Sequence, residues 1–150
     1  MQKDNRLYQL AENVLKNSVK LKKGEKIYIE AFGPAVLDLM EIFIRKATEL
    51  GGVPFYFYND EHLLKAVIDN ASEEQMKAFG ETYRQQMASS DVYVALRGYD
   101  DIFALSDVNE RQMALYMQHY YNPVHRSTRV PRTRWCVMRY PNQAMAGLAK

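Results

Sequence analysis

Leu7, Leu10, Ala11, Val14 and Leu15, continued by Ser18, fall on one stripe at three- and four-residue spacing, which predicts an amphipathic opening helix with Asp4 as its cap. The polar turn Lys22-Lys23-Gly24-Glu25 stops it, and Lys26 to Glu30 reads as a short strand of β-branched and aromatic residues. Pro34 suits the first turn of a helix, where its missing N–H costs nothing. That helix runs to about Leu50. Its apolar residues Val36, Leu37, Met40, Phe43, Ile44 and Ala47 occupy more than one side, so it is covered on much of its circumference. Gly51-Gly52 ends it, and Val53 to Tyr58 is a second strand. Asn59-Asp60 turns the chain into a short helix around Leu63 to Ile68. Ser72 with Gln75 forms a capping-box pattern ahead of Met76, Phe79, Tyr83 and Met87. Asp91 to Arg97 is a third strand. A helix from about Val108 to Tyr121 follows, which Asn122-Pro123 must end or kink. Arg134 to Arg139 is a fourth strand, and Gln143 to Ala149 starts another helix.

Strands alternating with helical segments of this length pair in parallel through crossover helices. The expected fold is therefore α/β: a small open, mainly parallel sheet of about four strands with helices on both faces, a Rossmann-like three-layer arrangement. No repeat, low-complexity tract or long linker divides residues 1–150, so one domain is expected. The final helix carries apolar residues and stops about two turns in, uncapped, which leads us to expect that it continues in a longer parent protein.

Composition narrows this picture little. With 47% hydrophobic and 25% charged residues the chain can bury a core, which excludes a disordered segment. No apolar run reaches the roughly 18 residues of a membrane span, and the N-terminus does not read as a secretory signal. A lone cysteine, Cys136, excludes an internal disulfide and makes the cytoplasm the expected compartment. Charge is more informative. The net +2 conceals a C-terminal stretch with Arg111, Arg126, Arg129, Arg132, Arg134, Arg139 and Lys150 and no acid, while everything before Arg111 is net acidic. Such a stretch meets an acidic partner, protein or nucleic acid, or else the acidic half of its own fold.

Candidate chemistry is sparse. No helix carries two histidines four apart around a glutamate; His119 and His125 are separated by Pro123, and Asp60, Glu61 and His62 are sequence neighbours that point apart. No Gly-x-Ser-x-Gly elbow occurs, and Cys136, mid-strand between Trp135 and Val137, reads as a buried inert thiol. After the first strand, Ala31-Phe32-Gly33-Pro34 has one glycine where a dinucleotide fingerprint has three, so a plain turn is expected there. Asp100 and Asp101 read as solvated turn residues. From His119 to Trp135 arginines mix with aromatics, a pattern that suits single-stranded nucleic acid or an Arg-rich protein interface. Trp135's place in a strand favours its burial, and so the interface.

The block Thr133-Arg-Trp135, Tyr140-Pro141, Ala144-Met-Ala146 resembles one found in the thermophilic metallo-aminopeptidase family, the group that includes aminopeptidases T and S. Leu10-Ala11-x-x-Val14-Leu15, Val19-x-Leu-Lys-Lys-Gly-Glu-Lys-Ile27, and Gly51-Gly52 before a strand with Pro54 agree in order and spacing. The resemblance implies a two-domain enzyme that removes N-terminal residues from peptides with two divalent metal ions, all of whose ligands belong to a larger C-terminal domain. This chain would then be the N-terminal domain, with no catalytic residue, metal ligand or cofactor of its own. Its partners would be the catalytic domain and peptide substrates within a homodimeric parent, with no membrane and with nucleic acid the less expected partner. Arg134, Trp135, Arg139 and Tyr140 are the residues expected to face the catalytic domain or the substrate's way in, while Arg126 and Arg129 are unassigned. The alternative is a stand-alone α/β module that binds an anionic ligand or single-stranded nucleic acid through its basic end.

Overall fold

Four strands lie side by side in the order β2-β1-β3-β4, every pair parallel: β1 (Lys26–Phe32), β2 (Val53–Asn59), β3 (Val92–Arg97) and β4 (Arg134–Arg139). The computed structural model describes residues 5–101 and 103–140. β1 and β3 are buried along nearly their whole length, as central strands of a covered parallel sheet must be. The expected α/β architecture is present. The connections from β1 to β2 and from β2 to β3 run in opposite senses across the sheet, so a topological switch point falls between β1 and β3.

Side chains alternate across the pleat and divide the core in two. On one face Ile27, Ile29, Ala31, Val92, Val94 and Leu96 pack against α1 (Asn5–Asn13) and α2 (Leu37–Glu49). On the other, Tyr28, Tyr93 and Ala95 meet α3 (Glu61–Ile68), α4 (Glu73–Ala88) and the segment after α5 (Glu110–Tyr116). The first face is aliphatic. The second is crowded with rings: Phe57 stacks on Tyr28 at 4.1 Å, and Phe79, Tyr83 and Tyr120 contact one another at 4.9–5.6 Å.

Local signals in the sequence account for most element ends. Ser72 Oγ accepts from the Gln75 N–H (3.1 Å) while Gln75 Oε1 accepts from the Ser72 N–H (2.9 Å), completing the capping box. Asp60 and Asn109 cap α3 and α5 in the same way. The opening stripe is helical through Ser18, but its last turn, Val14–Ser18, widens to π geometry. Asp4, the expected cap, and the helix expected at Gln143 to Ala149 lie outside the described residues.

Pro123 does not end its helix. From Met117 to Arg129 the chain runs on as a π-helix with Pro123 inside, then makes one turn of α6 (Val130–Arg132) before β4. A proline removes one N–H and crowds the preceding turn of an α-helix. Five-residue spacing loosens that turn, and Thr128 Oγ1 donates to the Pro123 carbonyl five positions back at 2.8 Å. Gly80 on α4 lets this wide segment approach. A Cβ there would stand 1.7 Å from the His119 carbonyl oxygen.

Trp135 departs from the burial expected of a strand residue: it is 44% exposed. β4 closes the row, with no described strand on its outer side, so a ring there is covered on one flank only.

Candidate functional site

An acid stands in the middle of the sheet. The pleat that puts Tyr28 and Phe32 on the aromatic face also puts Glu30 there, 2% exposed. Burying a carboxylate costs several kcal/mol unless it is paired or protonated. Tyr93 on β3 donates to Glu30 Oε1 at 2.7 Å, and Asn59 at the end of β2 gives a second hydrogen bond. Burial nonetheless wins and holds the carboxyl above its ordinary range, against those bonds and the nearby guanidiniums of Arg97 and Arg129.

Arg129 is the buried cation of this layer. Its Nε donates to His125 Nδ1 at 2.9 Å, and its guanidinium lies 5.2 Å from the Tyr93 ring and 4.8 Å from the Trp135 ring. Burial first, then the charges of Arg129 and Arg97, push His125 down to about 3, so the ring is neutral at physiological pH and accepts rather than donates at Nδ1. The raised phenol of Tyr93 likewise keeps its proton on the Glu30 side.

Two cavities flank this network at the C-terminal ends of the strands. One, of about 140 Å³, reaches Glu30 between Phe57, Leu63 and Tyr83. The other, of about 120 Å³, lies under the switch point, with Glu61, Arg97, Tyr99, Tyr116, Tyr121 and His125 in its wall. Nucleotide sites of this architecture sit over such a switch point, but here the crevice is pinched. Gly33 has φ +91°, and a Cβ on it would meet the Gly98 carbonyl oxygen at 2.1 Å. Backbone bonds stitch the strand ends together: Gly33 N–H to the Asn59 carbonyl (3.0 Å), Gly98 N–H to Phe32 (2.7 Å), Tyr140 N–H to Arg97 (2.7 Å). After β1 the chain turns at Gly33 into a short helical turn, Pro34–Val36, that leads into α2.

The residues singled out in the sequence divide across β4. Trp135 and Arg139 lie on the aromatic face, Arg134 and Tyr140 on the aliphatic one. Arg134 reaches back to the start of the sheet: Nε donates to the Val19 carbonyl at 2.8 Å, and Nη2 binds both oxygens of Glu25. Part of the basic stretch thus meets acids of its own fold. Tyr140 packs on the aliphatic core, and Arg139 is exposed. Arg126 lies 5.8 Å from the Tyr121 ring. Cys136 is half-buried on the aliphatic side, its thiol pushed up by burial, with the sheet between it and His125. Asp101 Oδ1 accepts from the Phe103 N–H at 3.0 Å, as a turn residue does.

The residues present do not fit a pair of metal ions. Among the described residues no three His, Cys, Asp or Glu gather closely enough to hold one. His62 has Asp101 alone at 3.6 Å, His119 has Glu73 alone at 3.1 Å, and His125 is spent on Arg129. Sequence reasoning passed over Glu30, Arg97 and Tyr93. A single acid between Ile29 and Ala31, inside an otherwise apolar strand, was the available signal for the first.

Fold and cavities together define an α/β domain of the doubly wound class, with a polar network under its switch point. A family model described as thermophilic metalloprotease (M29) matches residues 3–149, and the chain belongs to that family. Among solved structures it is similar to wild-type AmpT from Thermus thermophilus, with a TM-score of 0.67 and 18% identity over 92% of this chain and 36% of that one. The chain therefore spans about a third of the length of that protein. A LacI-family transcription regulation repressor from Corynebacterium glutamicum aligns with a TM-score of 0.43 and 15% identity, over 89% of this chain and 41% of that one, too weak a likeness to carry an argument. No curated protein matches the chain.

Proposed function

We propose that this chain is the N-terminal, non-catalytic domain of a metal-dependent aminopeptidase and helps enclose an active site built by the rest of that enzyme. The observation that carries the reading is the match of nearly the whole chain to a metalloprotease family, combined with a span of only 36% of AmpT. On this reading the hydrolytic centre belongs to the rest of the enzyme. There, two metal ions would polarise the peptide carbonyl and activate water.

Within the chain, the outer side of β4 is the surface we assign to the catalytic domain. Trp135 and Val130 are 44% and 46% exposed, and Arg139, also exposed, lies on the same face of β4 as Trp135, four positions further along the strand. A large aromatic with an arginine close by is the composition of an interface core. Arg134 and Tyr140 act behind that surface by fixing β4 to the loop before β1 and to the aliphatic core. Nucleic-acid binding is the weaker reading, because Arg129 and Arg134 are already engaged inside the fold.

The test is release of a fluorophore from a leucyl-amide substrate, with added cobalt or zinc. Residues 1–150 alone should be inactive, and the same residues followed by the remainder of an M29 enzyme should be active. Metal-dependent turnover by residues 1–150 alone would overturn the proposal and redirect attention to His62, His119 and His125.

A further inference from the structure

The cavity under the switch point has a chemistry that the peptidase reading does not use. At about 120 Å³ it is far below the space a nucleotide or peptide needs. Two opposite charges line it. Arg97 comes from the end of β3 and Glu61 from the first turn of α3. Between them the walls are aromatic: Phe32, Tyr99, Tyr116 and Tyr121.

Neither charge is satisfied in the way a structural pair would be. Arg97 Nε is buried and has no hydrogen-bond partner, a rare and costly condition for a guanidinium N–H. Its guanidinium carbon lies 6.0 Å from the Phe32 ring. Glu30, an acid near enough to sense its charge, takes its hydrogen bonds from Tyr93 and Asn59 instead. Glu61 is held above the ordinary carboxylate range by burial, then by Asp101 and Asp60, so negative charge has gathered around it. Tyr99 lines the same cavity as Arg97 and Glu61, and burial pushes its phenol up to about 12.

We propose that this cavity binds a small free α-amino acid of the size of glycine, alanine or serine, its carboxylate on Arg97 and its ammonium on Glu61 among the tyrosine rings. A guanidinium matches a carboxylate through paired N–H groups, and an ammonium is held both by an acid and by aromatic faces. His125, neutral in the wall, adds no second cation to compete for the carboxylate. The proposal rests on the cavity alone and stands whether or not the parent enzyme is a peptidase.

Titration of residues 1–150 with alanine, followed by calorimetry and amide chemical shifts, tests it. Saturable binding is expected, with shifts centred on Phe32, Tyr99, Tyr116 and Tyr121. N-acetylalanine and alanine amide, each lacking one charge, should bind at least tenfold more weakly, as should leucine, which is too large. Arg97→Met and Glu61→Gln should each weaken alanine by at least tenfold. Glu61 is half-buried at a helix start, so Glu61→Gln keeps the test alive if Arg97→Met does not fold. No saturable binding, binding of acetate as tight as that of alanine, or unchanged affinity in Glu61→Gln would each overturn the assignment.

Discussion

Two buried ionisable residues set how this domain answers to pH, and they act in opposite senses. His125 binds a proton near 6.5 when unfolded but only near 3 when folded. Between those values the unfolded chain holds the extra proton, so stability falls as pH falls, by about 1.4 kcal/mol per unit. Glu30 is held above its ordinary 4.5 in the folded chain, so there the folded state keeps the extra proton and stability falls as pH rises past 4.5. Above 4.5, and as far as Glu30 keeps its proton in the fold, the two slopes oppose each other. We predict that His125→Asn, which keeps an acceptor for Arg129, removes the loss on the acid side and leaves a decline with rising pH. Glu30→Gln should do the reverse. Urea midpoints measured from pH 4 to 7 check both; curves that run parallel to the parent's would show that neither group titrates with folding.

At the scale of elements, the unusual piece is the π-helical stretch from Met117 to Arg129 and its bed on α4. Gly80 is what permits their approach, and its role has a sign that separates it from an ordinary helical glycine. Gly to Ala in an exposed helix gains about 1 kcal/mol. Gly80→Ala should instead lose about 2 kcal/mol or more, because the new methyl meets a backbone carbonyl that cannot swing aside as a side chain would. Thermal unfolding of the single variant decides the matter, since a rise in Tm would place the His119 backbone farther away. The same stretch shows where pattern reading runs short. Pro123 in the sequence says that an α-helix cannot continue, but not whether the chain breaks, kinks or widens. Widening prevailed because Thr128 and the aromatic layer hold the loosened turn in place.

On the scale of the whole molecule, both edge strands expose large side chains, Val53, Tyr56 and Tyr58 on β2 and Trp135 on β4, and Trp135 is a built-in reporter of any cover on the β4 edge. It is the only tryptophan in the chain. In residues 1–150 alone its emission should be open to quenching by acrylamide. In the longer enzyme, with any tryptophans of the other domain replaced by phenylalanine, emission should shift to the blue and quenching should fall. Equal quenching in both would place the domain interface away from β4. No described helix is long and apolar enough to cross a membrane.

Sequence alone determined the four strands and most of the helices between them, though not the stretch through Pro123, because apolar spacing, capping residues and glycines act within a few positions of one another. Ser72 and Gln75 are the clearest instance, since both halves of their box form as the pattern requires. It also called for a mainly parallel sheet, because segments of helical length between strands suit crossover connections. Only the tertiary structure decided which strand takes the edge, and so why Trp135 is exposed while Tyr93, its register partner, is 1% exposed. Only the tertiary structure, likewise, brought Glu30, Arg97, His125 and Arg129 under one switch point, from strands and a helix far apart in the chain. Their proximity is a consequence of strand order, and strand order is settled by how whole faces bury one another rather than by any local run of residues.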